Sequence, residues 1–108
     1  MKLTLDDLRG KVAEFRDERN WKRFHNPKDL AISISIEASE LLELFQWKRN
    51  REISRKLGDS KFLEKVKSEL ADVLIYCLSL SDVLKIDLEE AVISKLEENK
   101  KRYPPRKP

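Results

Sequence analysis

The chain has 108 residues, 40% of them hydrophobic and 40% charged, which suits one small domain with a well-solvated surface. Its net charge is only +3, and the basic excess gathers in Lys100, Lys101, Arg102, Arg106 and Lys107, so an extended nucleic-acid-binding surface is not expected. No apolar run approaches the roughly 20 residues that cross a bilayer, and MKLTLDDLRG lacks the apolar stretch of a secretory signal. A cytoplasmic protein without membrane partners is expected, with its single cysteine, Cys77, a buried and inert thiol inside LIYCLSL.

Two Gly and four Pro leave room for few tight turns, which points to an all-α fold. Thr4 is the expected N-cap of a first helix reaching about residue 19, with Asp6 and Asp7 in its first turn and Leu5, Leu8, Val12 and Phe15 at helical spacing. Residues 20–26 connect it to a second helix, announced by Asn26 as N-cap and Pro27 at the first helical position. That helix is expected to end at Trp47 or Lys48. A polar segment follows, with a short helical turn over 52–57 closed by Gly58. A third helix runs from Asp59 or Ser60 to about Leu84. Asp87 and Glu90 make a capping box for the fourth, which Pro104 and Pro105 stop. The expected architecture is a four-helix bundle-like subunit.

The second and third helices are apolar on nearly every side. Glu37, Glu40 and Glu43 are the only charges in 30–47, and Asp72 is the only one in 70–80. A helix that is apolar all round is buried all round. Two such helices exceed what the other two can cover, so assembly into a helical homo-oligomer, a dimer or tetramer, is expected.

Glu37 and Glu40 are spaced i, i+3, and so are Glu69 and Asp72; each pair projects from one side of its helix. Phe62, Val66, Val73, Tyr76 and Leu80 surround the second pair on the helical wheel. Adjacent buried carboxylates without partners repel and are costly to desolvate, so a cation or basic residues must compensate. Lys65, one turn before Glu69, is the only Lys or Arg one turn from either pair on its own side of the helix. Four acids on two helices make an all-oxygen cage suited to Mg²⁺, with Mn²⁺ as a substitute. The competing reading is ordinary exposed acids in i, i+4 salt bridges. A di-iron bundle requires Glu-x-x-His on two helices, and the only histidine, His25, has Lys22 three residues before it.

The segments IEASELLELFQWK, SELADVLIYCLSLS and SKLEENKKRYP, with AEFRDERNWKRFHNPKDL upstream, resemble the MazG-like nucleotide pyrophosphohydrolases, the dCTP pyrophosphatase branch in particular. The resemblance spans residues 1–103 as one domain, leaving 104–108 as a Pro-rich basic tail. It implies a Mg²⁺-dependent enzyme cleaving a (d)NTP to (d)NMP and pyrophosphate, in the cleansing of nucleotide pools. The implied metal ligands are Glu37, Glu40, Glu69 and Asp72. The implied nucleotide contacts are Trp21, Trp47, Asn99 and Tyr103, with Lys95 and Arg102 toward the phosphates and Phe24 joining the aromatic set. His25 fits either a substrate contact or a local backbone hydrogen bond. Glu43, one turn beyond Glu40, fits either a water-activating catalytic base or a surface acid. Two departures stand out: Ile36 occupies the first acidic position of the longer E-E-x-x-E motif, and Val12 stands where animal dCTP pyrophosphatases carry histidine. The implied substrate is dCTP or a modified pyrimidine deoxynucleotide. The alternatives are a broad-specificity or purine-directed member, a degenerate member that only binds nucleotides, and a non-catalytic helical binding module using the basic C-terminal tail.

Overall fold

The computed structural model describes residues 2–106, so Lys107 and Pro108 of the expected tail lie outside the described residues. Among the described residues the chain forms five α-helices and no strand: α1 (Leu5–Glu18), α2 (Pro27–Glu43), α3 (Asn50–Lys56), α4 (Ser60–Val83) and α5 (Leu88–Arg102). A 3₁₀ turn, Lys22–Phe24, lies between α1 and α2.

The helix starts follow local chemistry. Thr4 Oγ1 accepts the Asp7 N–H at 3.1 Å while the Asp7 carboxylate accepts the Thr4 N–H at 2.9 Å, a complete capping box. Asn26 caps α2 by accepting the Asp29 N–H at 2.9 Å, with Pro27 opening the helix. Asp87 accepts the Glu90 N–H at 3.1 Å; this is the N-cap half of the expected capping box. The ends of α1 and α4 are set by left-handed residues. Asn20 (φ 57°) donates its N–H to Asp17 O while Trp21 donates to Arg16 O; Lys85 (φ 56°) and Ile86 repeat the pattern on Asp82 and Ser81. These are Schellman closures, which satisfy carbonyls that the helix end would orphan.

Two expectations change. The short turn after α2 is a separate helix, α3, so the subunit has five α-helices. Helix α2 stops at Glu43, and residues 44–47 form a hydrogen-bonded turn instead of further helix. The turn lets Phe45 meet Phe62 edge-on, with ring centroids 5.8 Å apart, and leaves Trp47 at φ 67°. A bulky residue there is conformationally strained.

Helices α2 and α4 form the main contact and α1 packs on α4. The pairing of Phe45 with Phe62, of Glu37 with Glu69, and of His25 with Tyr76 fixes α2 and α4 as antiparallel. The buried apolar core is small: Leu30, Phe62 and Leu78. Helix α5 rests on α1, leaving Val92, Ile93 and Leu96 exposed, and Ile32, Ile36, Leu42, Leu70 and Leu74 of α2 and α4 are exposed as well. Cys77 is half-buried, and burial raises its thiol pKa, which keeps it protonated and unreactive. No helix among the described residues is long and apolar enough to cross a membrane.

Candidate active site

Glu37 belongs to the inward stripe of α2, with Leu30, Ile34 and Leu41, and Glu69 to that of α4, with Phe62, Val66, Val73 and Tyr76. The antiparallel pairing sets them against each other. Glu37, Glu40 and Glu69 each place a carboxylate oxygen within 4.8 Å of the others. Asp72 and Glu43 border this group, close enough to act on its protonation. None of the five acids forms an ion pair with Lys or Arg among the described residues, Lys65 included. The salt-bridge reading therefore fails.

The electrostatic consequence is a reluctance to ionise. A hydrogen bond shared with Glu40, then burial, then the charges of Glu40, Asp72 and Glu69 push Glu37 up to about 7. Burial, followed by the charge and hydrogen bond of Glu40 and the charges of Asp72 and Glu43, raises Glu69. One oxygen each of Glu37 and Glu69 is buried with no hydrogen-bond partner among the described residues. Converging, unpartnered, buried carboxylate oxygens are a donor set for a hard divalent cation. The residues fit that group.

Beside the acids lies a cavity of about 190 Å³ lined by Phe15, Arg16, Trp21, His25, Asp72 and Tyr76, with Val12, Ile75 and Ser79 completing it. The Schellman closure of α1 delivers Trp21 to it, and the 3₁₀ turn returns His25. Phe15 meets Trp21 edge-on at 5.6 Å; His25 lies 6.3 Å from Trp21 and 6.4 Å from Tyr76, centroid to centroid. His25 Nδ1 is buried and unpartnered among the described residues, so it makes no local backbone hydrogen bond. Burial, then the nearby charge of Arg16, lowers its pKa and keeps the imidazole neutral at pH 7.

The expected nucleotide residues thus divide. Trp21 and His25 share the cavity with Asp72. Trp47 stands in solvent at 93% exposure, and Phe24 is exposed with Arg23 over its ring. Lys95, Asn99, Arg102 and Tyr103 lie on or just after α5 and do not line the cavity. Lys95 pairs with Glu98 at 3.3 Å, Arg102 stacks on Tyr103, and Asn99 O accepts the Tyr103 N–H at 2.7 Å.

Sequence reasoning missed a second electrostatic centre. Asp82, at the end of α4, accepts from Arg16 Nη2 at 2.8 Å and from Arg9 Nη1, and Arg16 is only 3% exposed. The signal was present in the spacing: Arg9 and Arg16 fall on the same face of α1 as Leu5 and Val12.

The chain has close relatives. It is 44% identical to mouse dCTP pyrophosphatase 1 and 42% identical to the human protein of that name, over 94% of its own length and 59% of theirs. It thus spans about three-fifths of these curated relatives. A crystal structure from Archaeoglobus fulgidus DSM 4304, described as a pyrophosphatase, matches with a TM-score of 0.85 and 46% identity, covering 97% of this chain and 96% of that one. The MazG-like family model matches residues 32–107, which contain all five acids. The chain belongs to the MazG-like family.

Proposed function

We propose that the protein is a Mg²⁺-dependent nucleoside triphosphate pyrophosphohydrolase, converting a (d)NTP and water to (d)NMP and pyrophosphate. The observation that carries this reading is the acid cluster of Glu37, Glu40 and Glu69, bare of basic partners, in a chain so similar to proteins named dCTP pyrophosphatase 1. Glu37, Glu40, Glu69 and Asp72 would hold Mg²⁺, or Mn²⁺ in its place. The bound metal supplies neutralisation of phosphate charge and a lowered pKa for water. Glu43 borders the cluster and is the proposed acceptor of the proton that the attacking water loses. Trp21 and His25 would receive the base in the cavity next to Asp72, which is too small for a whole triphosphate. Trp47 would stack on the exposed side. The proposed substrate is dCTP or a modified pyrimidine deoxynucleotide, and the proposed role is cleansing of the cytoplasmic nucleotide pool.

Self-assembly is part of the proposal. The accessible surface is 9057 Å² and the radius of gyration 17.0 Å. A compact monomer of 12.8 kDa exposes about 6,300 Å². At 108 residues its radius would be about 13 Å. The surplus is of the size that obligate interfaces bury. A dimer or tetramer would cover the bare apolar residues of α2, α4 and α5, and would bring Lys95, Asn99, Arg102 and Tyr103 to the phosphate end.

The deciding experiment is pyrophosphate release from a panel of canonical and modified nucleotides with Mg²⁺. Pyrophosphate and monophosphate should appear together; orthophosphate as the primary product, or full activity in excess chelator, would refute the reaction. Sedimentation at micromolar concentration should find no folded monomer.

A further inference from the structure

The cavity beside Asp72 has one polar feature that aromatic stacking does not use. Arg16 forms part of its wall and is 3% exposed. Its Nη2 donates to Asp82 at 2.8 Å and its Nε to Asp17 at 3.3 Å, while Nη1 is buried without a hydrogen-bond partner among the described residues. Two of the three nitrogens of a rigid planar fork are therefore fixed, which fixes the direction of the third. Asp82 and Asp17 offset part of its positive charge, and Nη1 is left as a buried N–H donor without an acceptor among the described residues, in the residue that walls the cavity. Such a group suits a neutral acceptor better than a phosphate, and Phe15, Trp21 and Tyr76 give the same cavity a wall for a flat ring.

We infer that Arg16 is a specificity-determining residue whose Nη1 donates to a carbonyl oxygen or ring nitrogen on the edge of the bound base, and that it selects against bases turning an amino group to that position. The inference deepens the proposed function and rests on it. A donor opposed to a donor leaves both unpaired, which is how buried polar groups reject a near-isosteric ligand. His25 Nδ1, buried and unpartnered on the same cavity, is ambivalent between donor and acceptor in a neutral ring. Arg16 has no such freedom and can only donate. The ranking of bases should therefore follow Arg16, while stacking on the aromatic rings sets affinity for all of them.

The test couples a change in the ligand to a change in the protein. dCTP, dUTP and analogues with the 2-oxo or 4-substituent deleted or replaced by sulfur are assayed on the wild type, Arg16→Lys and Arg16→Met. The lysine variant retains a cation for Asp82 but lacks the second arm of the fork. In the wild type, deleting one particular acceptor should raise KM about 10- to 100-fold with a smaller effect on kcat. The same deletion should change KM less than about threefold in either variant. A purely structural Arg16 would slow all nucleotides alike and leave their ranking intact; that result overturns the assignment. If the variants do not fold, the wild-type series still decides, because equal KM values for every analogue also overturn it. Binding of the corresponding nucleosides, followed by tryptophan fluorescence, separates the two levels of proposal. No pyrophosphate from any nucleotide sinks the enzymatic reading, whereas binding indifferent to the acceptor sinks the role of Arg16.

Discussion

Replacing Asp82 with Asn keeps the shape of the side chain and removes the charge between Arg9 and Arg16. In the native protein Arg16 is 3% exposed and Asp82's side chain 12%, so this pair is shielded, whereas Arg9 at 33% retains contact with water and a second partner in Asp6. The substitution leaves Arg16 with Asp17 alone, at 3.3 Å and half exposed. Removing one partner of a buried pair costs about 3–5 kcal/mol, and the retained Asp17 contact together with the amide oxygen of the new side chain places the expected loss at the lower end, about 3 kcal/mol. That is a large share of the 5–15 kcal/mol that holds a typical domain together. Urea unfolding monitored by circular dichroism measures it directly. Its pH dependence supplies an independent check. Burial by itself would raise the Asp82 pKa, but the hydrogen bonds and charges of Arg16 and then Arg9 lower it. A depressed carboxylate contributes stability that is present above its unfolded pKa and lost as pH falls through the folded value. Wild type should accordingly lose stability on acidification below about pH 4, and Asp82→Asn should lose less there. A loss under about 1 kcal/mol, or identical acid limbs in the two proteins, would refute the idea that Asp82 anchors Arg16.

The acid cluster predicts the opposite pH slope. Glu37 is raised to about 7 and Glu69 is raised, so the native state binds more protons than the unfolded one above about pH 4.5; metal-free protein should lose stability as pH rises toward 7, and a rise instead would refute the assignment. Mg²⁺ at pH 7.5 should restore the melting temperature, since cations and protons compete for the same oxygens. Glu40→Gln and Asp72→Asn should each cut turnover at least about 100-fold and, by relieving repulsion, melt no lower than wild type without metal; near-normal rates would make these acids structural. Trp47→Gly should raise KM about 10- to 100-fold for all nucleotides alike. It should also leave the fold as stable or up to about 1 kcal/mol more so, because glycine relieves the left-handed strain; unchanged KM values would put Trp47 outside the site.

Where the sequence was legible, a local rule was sufficient. Thr4, Asn26 with Pro27, Asp59 and Asp87 each start a helix as capping chemistry requires. The i, i+3 acids on apolar helices were conspicuous because periodicity and charge disagreed there. The end of α2 was not legible, because 41–47 contains neither Gly nor Pro and stays largely apolar. The helix yields there to Phe45 packing on Phe62, a contact across seventeen residues that no local signal encodes. Arg16 and Asp82 are 66 residues apart, and a basic residue on an apolar face carries no label naming its partner. The position of Trp21 and His25 beside Tyr76 likewise depends on how the connector folds over α4.

Helix α4 carries both electrostatic arrangements, and the contrast between them bears on function. Glu69 and Asp82 are thirteen residues apart, about 20 Å along the same helix. At one end a single carboxylate receives two guanidinium groups; in the middle, converging carboxylates receive none among the described residues. Scarcity of cations does not explain the difference, since the chain has 23 Lys and Arg. Nor does packing alone, since exposed acids elsewhere pair readily with lysines one turn away: Glu64 with Lys67, Glu97 with Lys100, and Glu98 with Lys95. A cluster that raises the pKa of its own members opposes folding at neutral pH, and a glutamine at Glu40 would relieve it without loss of volume. On the proposed reading, the charge that compensates this cluster at the centre of the α2–α4 contact arrives from outside the chain. The Asp82 pair, complete within the chain, stabilises the fold and aims Arg16. The acids, without a cationic partner among the described residues, are the ones that the proposed reading gives to a metal ion.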